Sequence, residues 1–477
     1  MLFKHTSIYL LAKAIPGIMA FVALSIYTHL LTPEEYGLYT LIFTAAIFSN
    51  NVLFFWLPAG TLRFWSKQEF SSQNFISTLT NTYIVMFFTI IIGLIISAYF
   101  LWGTPNYIWL LCGALLTISA SMYTLSQYLM SAQIHPLKYA KLSISYSIFA
   151  VVFGGLMAYM DYGAIGITLG ICVGFLLPTF FAKIEYWQNY HRKSFDPALF
   201  KKLATYGIPL ASVTLLEEIT KSADRFMLAS LQNKAEAGLY AVGYDLSGNS
   251  ILLLMSAINL AAYPVIIKLL DNEGQKSALE YFNKYALLLL GIAVPAVFGI
   301  IIVGPNLIHL LIGEEYQQAV TTLLPWIAIA LFMAGMQANY FDLAFQLGNY
   351  TIGILKLSIA IVLINIALNY FLIPTMGMKG AAIATLSSFI LGVILSAIIG
   401  RKHFPIPLPI RDFSKIFIAA LLMSLSLWWF KDYRGWGWLV LQLSLGLISY
   451  GAVIYAFNIL DIRSSVKDYV TKLTEQS

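Results

Sequence analysis

Fourteen apolar runs, each long enough to cross a bilayer, follow one another along a 477-residue chain with only short polar connections between them. They lie at about 8–31, 36–58, 78–102, 107–130, 140–160, 163–183, 205–231, 237–267, 284–312, 319–345, 351–373, 377–400, 413–430 and 436–457. A hydrocarbon core about 30 Å thick takes about 20 residues of helix, and a helix is the one open-ended element that satisfies its own backbone in lipid. The pattern predicts an all-α integral membrane protein with about 14 transmembrane helices. Composition narrows the classes further. Only 10% of residues are charged, against about 25% in soluble domains. Secreted, nucleic-acid-binding and cytosolic-enzyme readings are therefore excluded. Cys112 and Cys172 both sit inside apolar runs, which leaves no disulfide framework and no thiolate metal site. The six histidines are dispersed without metal-ligand spacing, and no cofactor motif is present. The first run ends at Thr32-Pro33-Glu34-Glu35 instead of a small-residue cleavage site, so no cleavable leader is expected.

Cations orient the spans. Counting alternate connections from the N-terminus, 22 of the 28 Lys and Arg residues fall on one side. By the positive-inside rule both termini are expected in the cytoplasm. The net charge of +6 is an orientation signal. The longest connection, about 184–204, is on the cytoplasmic side and the outward loops are short turns, so the chemistry is expected within the membrane.

Short motifs recur at similar offsets. Gly37-Leu38-Tyr39 opens the second span and Gly238-Leu239-Tyr240 the eighth; Gly163-x-x-Gly166 opens the sixth and Gly377-x-x-Gly380 the twelfth; Pro16 pairs with Pro209. Two parallel six-helix repeats are expected, because an even number of spans returns each block to the same side. The organisation read from this is an N-terminal lobe over 1–183, a cytoplasmic linker over 184–204, a C-terminal lobe over 205–400, and a remainder over 401–477 holding a loop, two extra C-terminal helices and a tail. Two lobes around a central cavity are the usual geometry for alternating access.

Ionisable residues inside spans are the candidate chemistry. Glu217, Glu218, Lys221, Asp224, Arg225, Asp245 and Asp342 all fall within apolar runs, and each would cost about 3 kcal/mol facing lipid at mid-membrane. The five on the seventh span share an arc of about 120°. Weaker polar stripes run along the eighth span (Asp245, Asn249, Ser256, Asn259), the tenth (Asn339, Asp342, Gln346) and the fourth (Thr117, Ser121, Thr124, Tyr128, Ser131). Together they read as the lining of a hydrated cavity. The alternative is structural: Glu217, Lys221 and Arg225 at i, i+4, i+8 neutralise one another, and the hydroxyls serve helix packing. The first six spans hold no Asp or Glu. Their cationic candidates, Lys13 and Arg63, read equally well as cavity cations or as positive-inside anchors. With Lys221 and Arg225 they suit an anionic, phosphate-bearing substrate. Trp102, Tyr107, Trp109, Trp428, Trp429, Trp436 and Trp438 cluster at the expected outer interface as an aromatic belt.

The ordered set Leu31-Thr32-Pro33-Glu34-Glu35-Tyr36-Gly37-Leu38-Tyr39, Arg63, Tyr206-Gly207-Ile208-Pro209, Asp224-Arg225, Ala237-Gly238-Leu239-Tyr240, Pro264 and Ile312-Gly313-Glu314-Glu315-Tyr316 resembles the bacterial polysaccharide (O-antigen and capsule repeat-unit) flippases. These are a branch of the multidrug/oligosaccharidyl-lipid/polysaccharide exporter superfamily. The resemblance runs through about residues 5–400. It implies translocation of a polyprenyl-diphosphate-linked oligosaccharide across the inner (plasma) membrane, with the last two spans accommodating the lipid tail. It also implies membrane lipid and other polysaccharide-assembly membrane proteins as partners, and no nucleic acid. On this reading Lys221, Arg225, Arg63 and Lys13 hold the diphosphate, while Glu217, Glu218, Asp224, Asp245 and Asp342 bind sugar or couple to an ion. The competing expectations are an ion-coupled drug or cation exporter of the same superfamily and a membrane glycan enzyme. The absence of Asp and Glu from the first six spans, with the two extra spans, counts against the former, and the lack of a sizeable outer loop against the latter.

Overall fold

A computed structural model describes residues 2–65, 71–101, 106–182, 190–191, 194–459 and 463. Among them are fifteen α-helices, one π-helical turn and no strand. Eleven helical stretches are long and apolar enough to cross a membrane, and the chain is an all-α, multi-pass membrane protein. The chain divides into two compact units, Met1–Gly238 and Leu239–Ser477.

The first unit holds α1 (Leu2–Leu30), α2 (Pro33–Leu53), α3 (Trp56–Phe64), α4 (Ser72–Leu101), α5 (Asn106–Ala132), α6 (Pro136–Tyr159), α7 (Gly163–Phe181) and α8 (Pro197–Leu231). The run at 36–58, expected as one span, breaks before α3. Pro58 lacks an N–H and its ring clashes with the carbonyl four residues back, so the chain turns at Phe54–Phe55 and restarts. Arg63, expected just past a span, therefore stands on its own short helix. The connection read over 184–204 is also shorter than expected. Asp196 caps α8, accepting from the Ala198 and Leu199 amides at 2.9 and 3.1 Å, and Pro197 takes the first helical position, as caps of this kind favour. Residues 197–204, read as linker, thus belong to the helix, with Leu199 and Leu203 buried beside Phe54, Leu57, Phe75 and Tyr83. Residues 184–189 and 192–193 lie outside the described residues. By its packing, α8 groups with the first six spans, and the two units part at Gly238.

The second unit begins within α9 (Lys234–Glu273) and continues through α10 (Gln275–Leu311), α11 (Glu314–Met336), the π-turn Gln337–Phe341, α12 (Leu343–Leu347), α13 (Ile352–Gly400), α14 (Ile410–Trp428) and α15 (Trp436–Ala456). A straight 49-residue helix would be about 73 Å long, more than twice the hydrocarbon thickness. The backbone breaks inside α13 at Gly377, with φ 54° and ψ −136°, so α13 supplies two passes. Gly163, at the matching place in the first unit, has φ 53° and starts α7. Both positions need the left-handed backbone that glycine adopts without a Cβ penalty, a local match between the two recurring Gly-x-x-Gly motifs. The last helix, α15, docks on α10 through Asn306: its Nδ2 donates to Gln442 Oε1 at 3.0 Å, and its Oδ1 accepts from the Gly435 amide at 2.9 Å.

Candidate functional site

The recurring sequence motifs are helix starts. Thr32 caps α2 in a reciprocal box with Glu35, and Pro33 takes the first turn; Asn233 Oδ1 accepts from the Glu236 amide at 2.8 Å at the start of α9. The following glycines then face each other. A Cβ on Gly37 would overlap the Lys234 carbonyl, and one on Gly238 the Pro33 carbonyl. Each glycine thus meets the carbonyl four residues before the other, a reciprocal contact of the kind a two-fold relation produces.

The charged arc of α8 is partly visible. Asp224 has no exposed surface and Arg225 only 9%, whereas the neighbouring Phe226 is 40% exposed. Glu218 is half-buried. The side chains of Glu217 and Lys221 lie outside the described residues, although their backbone is helical. Asp224 and Arg225 are thus enclosed, not spread on an open wall. Arg63 and Lys13 are exposed. The structure does not bring Arg63 to Arg225. The α3 helix runs along the N-terminal part of α8, with Gly60 against Leu203 and the rings of Phe64 and Tyr206 5.7 Å apart. From Tyr206 to Arg225 is about 29 Å of helix. Lys13 lies on α1, whose Ala12 carbonyl accepts from Ser143 of α6 at 3.0 Å.

The hydroxyl stripe of the fourth span turns inward. Thr117 donates to Gly113 O at 2.8 Å and lies 3.3 Å from Ala46 O, and Ser121 donates to Ile118 O. Both are buried. These two hydroxyls serve the packing of α5, as small polar residues in membrane helices commonly do, and not a hydrated wall.

In the second unit the stripes of the eighth and tenth spans meet. The Tyr285 hydroxyl lies 3.3 Å from Asn259 Oδ1 on α9 and donates to the Asn339 carbonyl in the π-turn. Asn339 Nδ2 donates to Gly335 O at 3.1 Å. Just past the π-turn, the Asp342 amide closes it on Gln337 O at 2.8 Å. The Asp342 carboxylate accepts from Ser396 on α13, with Gln337 Nε2 3.5 Å away. Asp342 is 7% exposed; Asp245 on α9 is half-buried. Single-turn π-helices frequently mark functional sites. The turn also forms one wall of an apolar groove of about 210 Å³ between α10, α11, α13 and the start of α14, where Met336, Tyr340 and Phe341 face Leu290, Val393 and Phe413.

Sequence reasoning missed Tyr285, Ser396 and two fully buried groups: Asn369 donating to Asn365 at 3.0 Å, and Tyr240 3.2 Å from Thr385. A lone polar residue in a long apolar run was the available signal, most clearly for the asparagine pair at i, i+4. Four belt residues are exposed at the α14–α15 turn, with Lys431 Nζ 3.5 Å above Trp428; Trp102 lies outside the described residues.

The comparisons with known proteins agree with this architecture. The solved lipid II flippase MurJ, in an inward closed conformation, superposes with a TM-score of 0.75 over 94% of this chain and 98% of that one, at 16% identity. An outward-facing multidrug resistance MATE family transporter of the MOP superfamily superposes at 0.56 over 82% and 92%, at 15% identity. These likenesses establish the fold. The probable flippase AglR of Haloferax volcanii is 26% identical over 262 residues, 53% of this chain and 53% of that protein. The chain therefore spans about half the length of the curated relative it matches. The family model described as polysaccharide biosynthesis protein matches residues 26–321, more than half of the chain. The chain belongs to the polysaccharide biosynthesis protein family.

Proposed function

We propose that this protein is a flippase, not an enzyme. It carries polyprenyl-diphosphate-linked oligosaccharide repeat units from the cytoplasmic to the outer leaflet of the bacterial inner membrane by alternating access, for O-antigen (lipopolysaccharide), capsule or exopolysaccharide synthesis. The observation that carries this reading is the π-turn of the second unit. There an apolar groove suited to a lipid tail shares a wall with a buried polar network suited to hydroxyls. Family membership and the relative named as a probable flippase support it.

On this reading the cations act in sequence. Arg63, level with the N-terminal half of α8, makes an early contact with the diphosphate, and Lys13 contributes to the same cytoplasmic approach. Lys221 and Arg225, farther along α8, receive it. Arg offers bidentate contacts and Lys a mobile point charge. Glu217, Glu218 and Asp224 balance those cations, and Asp245 and Asp342 bind sugar hydroxyls or couple to an ion. The lobes that rock are the two repeats read from the sequence, 1–183 and 205–400, except that α8 moves with the first, on which it packs, and both termini are cytoplasmic. Lipid-linked oligosaccharide and membrane lipid are the partners, along with other membrane proteins of polysaccharide assembly.

Deleting the gene and measuring membrane lipids by mass spectrometry tests the reading. Accumulation of a complete diphosphate-linked repeat unit with loss of the surface polymer supports it. Normal surface glycan and no accumulated intermediate would overturn it. A second reading, ion-coupled export of a cation, is favoured by one observation, the buried Asp342 carboxylate. Efflux of a cationic dye that disappears in Asp342→Asn would select it.

A further inference from the structure

A second apolar groove lies in the first unit, apart from the residues assigned above. It runs between α2, α4 and α5 and encloses about 440 Å³, within the range of about 300–1,000 Å³ typical of ligand sites. Its walls are chiefly aliphatic, and the hydroxyls of Ser49 and Thr117 that border it donate to their own helices, at 2.8 Å to Ala45 O and 2.8 Å to Gly113 O. A sugar or a water chain would find few partners there. The helix α4 packs chiefly on α5 and exposes Val85, Phe88, Ile92 and Ile95 on its other face, so the groove runs beside lipid. At Gly93, within the groove, an added Cβ would meet nothing within 4 Å.

One end of this slot is charged. Lys234 lines it, with Nζ 4.1 Å from the centroid of the Trp109 ring. The reciprocal glycine contact pins the Lys234 backbone against the first turn of α2. Lys234 and Trp109 are themselves in the first turns of α9 and α5. Three span ends therefore converge there, at the level where an aromatic side chain and a lysine meet lipid headgroups. The ring contact holds the ammonium at the mouth, and its three N–H donors can meet an anion.

We propose that this groove binds an anionic phospholipid of the surrounding membrane, with one acyl chain between α2 and α4 and the phosphate on Lys234. An apolar slot closed by a single interfacial cation is complementary to such a lipid in both shape and charge. The site is separate from the proposed transport path.

Native mass spectrometry of the delipidated full chain tests this, with phosphatidylglycerol and phosphatidylcholine of identical acyl chains as probes. Wild type is expected to retain phosphatidylglycerol in preference to phosphatidylcholine. Lys234→Ala is expected to lower phosphatidylglycerol retention about fivefold, the effect of one cation near a headgroup, and to leave phosphatidylcholine unchanged. Gly93→Phe, which fills the slot, is expected to lose both. Equal retention of the two lipids by wild type, an unchanged Lys234→Ala, or a folded Gly93→Phe that keeps both lipids would overturn the proposal. Displacement of phosphatidylglycerol by undecaprenyl phosphate at equal concentration would overturn it in favour of the substrate's own isoprenyl chain.

Discussion

The two units use polar side chains differently. Among the described residues of the first, the strong side-chain bonds between helices run to backbone carbonyls: Tyr27 to Ala150 O at 3.1 Å and Ser143 to Ala12 O at 3.0 Å. One of its tight crossings is bare backbone, where Gly170 of α7 meets Gly154 of α6. The second has such carbonyl bonds too, as from Tyr450 to Gly291 O at 2.7 Å, but adds side-chain pairs across helices: Asn259–Tyr285, Asp342–Ser396, Tyr240–Thr385 and Asn306–Gln442. A backbone carbonyl is fixed by its helix, so such a bond locks one packing. A side-chain pair can be remade by a rotamer change. The first unit is therefore held by fixed packing around the proposed diphosphate cations, and the second adds remakeable pairs, among them the Asp342–Ser396 bond proposed to serve sugar binding or ion coupling.

The largest expected effect probes the frame. Gly170→Val places a side chain into the Gly154 backbone and should cost about 3 kcal/mol or more, seen as a collapse of the unfolding temperature in detergent. Gly299→Ala in α10, where a Cβ meets nothing within 4 Å, should be neutral or slightly stabilising. Equal tolerance at the two sites would remove the contrast. Next comes Arg225→Ala: losing a charge-assisted contact of about 1.5–3 kcal/mol should slow flipping at least about tenfold at normal expression. Arg63→Ala, about 29 Å away along α8, should slow it less. Asp342→Asn keeps the shape of the π-turn site and should lower transport while leaving the unfolding temperature within a degree or two. A large stability loss instead would make Asp342 a packing residue. Asn306→Ala should cost about 1 kcal/mol and loosen the last two spans, read as faster proteolysis at the 401–409 connection. The smallest effect is expected for Thr117→Val, below about 0.6 kcal/mol with unchanged transport, because its hydroxyl mainly serves its own helix.

Every apolar run proved helical in the described residues, because continuous hydrophobicity over span length has one solution in a bilayer. Boundaries were less legible. Pro58 could have placed the break between α2 and α3, and Asp196-Pro197 the early start of α8, since both are local signals. Gly377 was read as opening the twelfth span, and the backbone breaks α13 there. The π-turn at Gln337–Phe341 had no marker: no proline or glycine lies within it, and its extra residue arises from packing on α10 and α13. The site was legible by residue type but not by grouping. A charge inside a span is conspicuous in any sequence. Which charges meet depends on how helices cross, which is why Arg63 and Arg225 read as one cluster yet lie at separate levels of α8. For Thr117 and Ser121 of the fourth span the packing alternative holds, and spacing alone could not select it, since a stripe that faces water and one that bonds its own carbonyls have the same spacing.

The most direct test of the central claim is flipping by purified protein in liposomes, with a diphosphate-linked oligosaccharide in the lipid and a membrane-impermeant glycan-modifying enzyme outside. Wild type should make the protected half of the substrate accessible much faster than protein-free liposomes, and Arg225→Ala at equal reconstitution should remove most of that gain. Wild-type liposomes no faster than empty ones, alongside active efflux of a cationic dye, would contradict the account.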